Sequence, residues 1–243
     1  MAPFDTGDRN GDGSSAAGLA GLLAFMTWTL MPSLSMWLGL YVIKNAVWTF
    51  VFYHGLCLAP TIYLSRKHWL DTWKLPSRRG VIFIFLGAVV FCLLALLVYE
   101  ILGPMLLSND AVLALLIRLG YCKEIFWPLS LYAVLVNPMV EELYWRGSVL
   151  NKLDAMPHPM KHFGIIWSSL AYAFFHYWIF RLVLFPGFAE LATFKLALYG
   201  VFLALVYRRS GSILTTALTH GLFTDLAVIV LLLDLFRRYP GVL

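Results

Sequence analysis

Residues 81–107 read VIFIFLGAVVFCLLALLVYEILGPMLL, and Glu100 is the only charged side chain among them. A helix needs about 20 mostly apolar residues to cross the hydrocarbon of a bilayer. This run exceeds that length, so it is predicted to span a membrane. Working outward, residues 16–64 are apolar almost without interruption, too long for one crossing. Pro32 and Ser33 offer a break there, which predicts helices over 16–33 and 36–64. A basic loop, 65–80, and a polar loop, 108–122, flank the quoted run. Further apolar runs follow at 123–150, 163–185, 188–207 and 212–236, with a Pro/His-rich loop at 154–162. The predicted fold is all-α, a polytopic membrane bundle of about seven helices (six to eight).

Composition agrees. Hydrophobic residues make up 61% of the 243 residues and charged residues only 13%, with a mean hydropathy of +0.80. A soluble domain carries roughly 25% charged residues, so a water-soluble enzyme, an RNA-binding module and a disordered scaffold are all disfavoured. The net charge of +5 therefore points to membrane loops, with the bilayer rather than nucleic acid as the partner. With seven spans and the amino terminus inside, inner segments hold Arg9, Arg66, Lys67, Lys74, Arg78, Arg79, Lys152, Lys161, Arg208 and Arg209. Outer segments hold Arg118, Lys123, Arg181, Arg237 and Arg238. Ten against five favours a cytoplasmic amino terminus. The first fifteen residues, with Asp5, Asp8 and Asp12 against Arg9, have the wrong charge for a secretory signal and read as a polar tail. Residues 16–243 read as one transmembrane domain with its motif core at 137–225. Cys57, Cys92 and Cys122 fall in no metal-ligand spacing and read as small buried hydrophobes.

Ionisable groups at the centre of a spanning helix cost about 2.5–3.5 kcal/mol each on insertion scales. Here the fourth predicted helix carries Asn137, Glu141, Glu142 and Arg146, the fifth His176, and the seventh His220, Thr224 and Asp225; Lys44 stands alone in the second. Glu142 and Arg146 are four apart and share a face on which they can pair. Glu141 points about 100° away. An ion pair that merely fixes helix packing explains Glu142 and Arg146 but leaves Glu141 unpaired in lipid. His54 and His68 read as interfacial. His158 and His162 have i, i+4 spacing, but Pro157 and Pro159 argue against a helix there. Lys44 is expected to pair with an acidic group such as Glu100 or to face the inner leaflet.

Glu141, His176 and His220, meeting in a cavity within the membrane, have the chemistry to take a proton from water and to stabilise the oxyanion on an attacked carbonyl. Two histidines and a carboxylate also form a metal-ligand set; no HExxH supports that option and no cofactor is implied, so metal dependence stays open. The same charges read as an ion pathway would make a transporter.

The run Glu141-Glu142-Leu143-Tyr144-Trp145-Arg146-Gly147 is EExxxR followed by Gly. Tyr172-Ala173-Phe174-Phe175-His176 is FxxxH with Tyr for Phe, and His220-Gly221-Leu222-Phe223-Thr224 is HxxxN/D with Thr at the last place. A basic-Ser-Gly-Ser turn at 208–212 leads into the last motif. In this order on three predicted spans, the motifs resemble those of the CPBP (ABI) family, which holds type II CAAX prenyl endopeptidase-like intramembrane glutamic proteases and bacteriocin-processing enzymes. The resemblance implies that Glu141, with His176, activates the attacking water. It implies that Arg146 holds Glu142 in support and that His220 stabilises the oxyanion with the residue at 224. Thr224 departs from the pattern, and Asp225, one residue on, is turned about 100° away along an α-helix. The implied substrate is a membrane-anchored protein that is prenylated or carries a C-terminal sorting signal. A non-enzymatic bacteriocin-immunity or peptide-binding role is the alternative, and Thr224 favours it.

Overall fold

The computed structural model describes residues 11–156 and 162–239. Much of the polar tail and the His158 segment with its flanking prolines lie outside them. Among the described residues the chain is helical with no strand, an all-α bundle. Seven long helices form it: α1 (Gly18–Ile43), α2 (Ala46–Leu64), α3 (Arg78–Leu106), α5 (123–155), α6 (Phe163–Val183), α7 (Phe188–Ser210) and α8 (Ile213–Arg238). The short α4 (Asn109–Arg118) sits between α3 and α5. Six of these are long and apolar enough to cross a membrane. The remaining one, α5, has the length but carries the charges of the first motif.

The first boundary differs from the sequence expectation. Pro32 does not end a helix: it falls in the first turn of Met31–Trp37, where a missing N–H costs nothing, just after a turn at residues 29–30 that interrupts the first span. The chain then runs on to Ile43. The true break is Lys44, left-handed at φ 57°, followed by Asn45, whose side chain accepts from Trp48 N and starts α2. Asn is a strong N-cap. Lys44 is thus a helix end rather than a mid-span charge, and Glu100 pairs with Arg238 instead. The loop 108–122 proves to contain α4, whose Ser108 caps it through Ala111 N. Only Cys57 of the three cysteines is buried; Cys92 is half-buried and Cys122 exposed, since Cys122 lies in the turn before α5.

Contacts at the helix ends show that the spans alternate. At one end Ser212 Oγ donates to Lys74 O (2.5 Å) and Arg208 pairs with Asp154 (2.5 Å). At the other, Ala46 N bonds Leu119 O (2.9 Å) and Phe185 N bonds Leu106 O (2.8 Å). The basic loop 65–80 and Arg208 therefore share one end. The largest core joins α1, α2, α5 and α6 through Phe25, Tyr53, Tyr144, Trp145, Tyr172 and Phe175, while α3 exposes most of its apolar surface.

Within the bundle the helices are not uniform. Leu38–Ile43, Phe52–Leu58, Tyr132–Val136, Leu143–Leu150 and Gly221–Asp225 are π-helical, a wider turn than the α-helix; the last three lie in or beside the motifs. Pro138 has no N–H to give Val134 O and would crowd that carbonyl in an α-helix. The bulge relieves this, and Val134 O lies against α8 at Gly221, where a Cβ would come within 2.4 Å of it. Gly221→Ala should therefore force α5 and α8 apart at a cost of about 1–3 kcal/mol, read as a lower thermal midpoint in detergent. Gly21→Ala, where a methyl meets nothing within 4 Å, should leave the midpoint unchanged or raise it.

Candidate active site

Arg146 is 1% exposed and Glu142 is 0% exposed. Their i, i+4 pair forms as the spacing predicts, with Arg146 Nη1 donating to Glu142 Oε1 at 2.8 Å. Nη2 of the same guanidinium donates to the Gly200 carbonyl of α7 at 3.0 Å. The guanidinium carbon lies 4.9 Å from the centre of the Tyr172 ring on α6. One arginine thus ties three helices together. The fourth is tied by His220 of α8, whose Nδ1 is 2.9 Å from Glu142 Oε1. A carboxylate only accepts, so Nδ1 carries the proton and Nε2 is the nitrogen turned away from Glu142.

Three groups converge on Nε2. The Tyr172 hydroxyl lies 3.1 Å away, Asp225 Oδ1 3.8 Å and Glu141 Oε2 3.9 Å. Glu141 is 2% exposed, and its Oε2 is buried with no hydrogen-bond partner in the protein, an acceptor that only an added donor would satisfy. Asp225 departs from the sequence argument. On an α-helix it would face away from His220, but Gly221–Asp225 is π-helical, and in a π-helix residues five apart share a face. Thr224, four after His220, spends its hydroxyl on the His220 carbonyl at 2.9 Å.

His176 stands one turn beyond Tyr172 on α6. Its Nδ1 is 3.0 Å from the Tyr172 carbonyl, and its ring stacks near Phe175 at 3.9 Å. It is half-buried, with Nε2 left for another partner. The structure therefore gathers Glu141, Glu142, Arg146 and His220 tightly, sets His176 alongside, and turns Thr224 back on its own helix.

Sequence reasoning missed a second polar string. His54, expected at the interface, is partly buried in mid-α2, with Nε2 3.0 Å from Asn137 Oδ1 and Nδ1 2.7 Å from the Tyr132 hydroxyl. Asn137 in turn interacts with the carboxylates of Glu141 and Asp225. Polar residues at matching depth in two apolar runs were the available signal. Among the described residues, no group of three or more His, Cys, Asp or Glu is arranged to hold a metal ion.

Residues 123–224, from the start of α5 to Thr224, match the family model described as Type II CAAX prenyl endopeptidase Rce1-like. This segment is Rce1-like. The Rce1-like stretch contains all three motifs and the whole Arg146–Glu142–His220 unit, and it is less than half of the chain. The family named is one of endopeptidases, enzymes that cut within peptide chains. No curated protein and no solved structure matches the chain.

Removing one member of a buried ion pair typically costs about 3–5 kcal/mol, because the other charge stays buried. Arg146→Met should therefore sharply lower the yield of monodisperse protein and its thermal midpoint. Adding Glu142→Gln to that variant should recover part of the loss; a double variant no more stable than the single one would show that the pair is not the source.

Proposed function

We propose that the protein is an intramembrane endopeptidase of the glutamic type, acting on a membrane-anchored protein that is prenylated or carries a C-terminal sorting signal. The observation that carries this reading is the buried, unpartnered Oε2 of Glu141, 3.9 Å from His220 Nε2. That gap is too long for a direct bond, yet one oxygen can sit at about 2.8 Å from both atoms. Glu141 takes a proton from water as the water oxygen bonds to the peptide carbonyl carbon. The carbonyl π pair moves to oxygen, while His220, held at Nδ1 by Glu142, accepts a hydrogen bond from the water's second hydrogen at Nε2 and orients it. On collapse the C–N bond breaks and the proton leaves Glu141 with the amine. His176 assists from the α6 side, and Arg146 keeps Glu142 in place. Thr224, turned away, adds little.

A cavity of about 430 Å³ supports the lipid-modified class of substrate. Its lining includes Phe180, whose ring stacks on His176 at 6.3 Å, and Phe50, which stacks on His54 at 5.6 Å. Leu115, Val183 and Leu232 continue it toward the less basic end. Lipid tails are as apolar as such a wall, so it selects by shape rather than by hydrophobic affinity.

Glu141→Gln keeps size and removes the base. Cleavage of a prenylated or tailed membrane peptide should fall by about 10²–10⁴-fold with expression and thermal midpoint retained; a variant that cuts like the parent overturns the choice of base. The second reading, a binding or immunity protein, is favoured by the Thr224 hydroxyl being spent on its own helix. Folded protein that captures such peptides and never cuts them would establish it.

The amino terminus and the basic end are proposed to be cytoplasmic. Cys122 is exposed at the opposite end and should react with an impermeant maleimide from outside intact cells. A cysteine introduced by Leu75→Cys, a site 83% exposed at the basic end, should react only after permeabilisation. The reverse pattern would invert the topology.

A further inference from the structure

The chain departs from the motif pattern at two aromatic or hydroxylic positions, Tyr172 in place of Phe and Thr224 in place of Asn or Asp. In the structure these departures meet at His220. The Tyr172 ring is 1% exposed and its hydroxyl stands 3.1 Å from Nε2, the nitrogen facing Glu141 and Asp225. Thr224 Oγ1 bonds the carbonyl of the same histidine. A side-chain donor is thus lost at position 224 and one is present at position 172.

Resting on the peptidase reading above, we infer that the Tyr172 hydroxyl is a catalytic donor to the tetrahedral oxyanion, standing beside His220 where the pattern would use the side chain at 224. The ring is fixed edge-on against Trp145 (6.1 Å), Phe175 (5.8 Å) and His220 (5.7 Å). Only the hydrogen has to move: rotation about the Cζ–Oη bond redirects it from Nε2 to an oxygen bound next to it. The Arg146 guanidinium over the ring, 4.9 Å from its centre, draws on the π electrons and strengthens the phenol as a donor. The ledger of the step is unchanged. As water adds to the carbonyl carbon, the π pair goes to oxygen and the phenol hydrogen-bonds it without giving up its proton. When the C–N bond breaks, the pair returns to the carbonyl and the phenol turns back to Nε2. Donors fixed in advance around a developing charge in a dry site carry much of the rate enhancement in acyl transfer.

The test uses the full chain in detergent with a tailed membrane peptide that it cleaves. Tyr172→Phe removes one oxygen and restores the residue type of the motif, so folding is little disturbed. The expected result is a fall in kcat of about 10²-fold or more, with KM and thermal midpoint near those of the parent. Adding Thr224→Asn to Tyr172→Phe should then recover at least about 10-fold in kcat, by returning a donor to the other side. A Tyr172→Phe variant with kcat within about threefold of the parent overturns the inference. So does a loss that Thr224→Asn leaves untouched, because a phenol needed only to orient His220 is not replaced by a carboxamide on α8. A parent that is folded and never cuts refutes the peptidase reading and this inference with it. A parent that cuts, is silenced by Glu141→Gln and ignores Tyr172→Phe refutes this inference alone.

Discussion

One carboxylate oxygen organises the bundle. Glu142 Oε1 accepts from both Arg146 on its own helix and His220 on α8, in a place with no solvent to take over either bond. Two charges cannot be left there singly, so α5 and α8 have one relative position in which all three groups are satisfied. Arg146 extends that requirement to α7 through the Gly200 carbonyl and to α6 through the Tyr172 ring. Gly200 helps by size: a Cβ there would lie 3.0 Å from Ser169 Cβ, so α6 and α7 pack closely enough for the arginine to reach both. The second carboxylate, Glu141, takes no part in this arrangement: Asn137 is its polar neighbour, and its Oε2 has no partner in the protein.

The wide turns are the other half of the geometry. A uniform α-helix would turn Asp225 away from His220 and would drive Pro138 into the Val134 carbonyl. The π-helical stretches at 132–136, 143–150 and 221–225 change the angular step beside Glu141 and His220, which themselves lie in α-helical turns. The π-helical stretches of α5 and α8 come into close contact at Gly221, against the Val134 carbonyl.

The all-α membrane bundle was legible because apolar runs such as 81–107 announce themselves by length alone. So was the Glu142–Arg146 pair, since i, i+4 neighbours meet whatever surrounds them. What failed to show had tertiary or conformational causes. Pro32 looked like a terminator because proline interrupts a helix interior, yet it is harmless in a first turn, and the quieter signal, Asn45 as a cap, marked the real boundary. Asp225 reads as turned away from His220 on an α-helical angle that the local backbone does not obey. His54 reads as interfacial because nothing in the sequence joins it to Asn137, 83 residues away. Tyr172 reads only as a mismatch in its motif, because its hydroxyl gains a partner only where α8 brings His220 to it.

The in-helix position of the Arg146–Glu142 bond has a consequence for biogenesis. Helix α5 leaves the ribosome before α7 and α8 exist, so the acceptor at Gly200 and the imidazole at 220 are not yet available to it. The internal pair shields one carboxylate from the first moment the segment coils, and Glu141 alone enters without a counterion. Its lodging in the hydrocarbon becomes secure only as later segments arrive, which makes this span the natural client of whatever insertase holds half-finished polytopic chains.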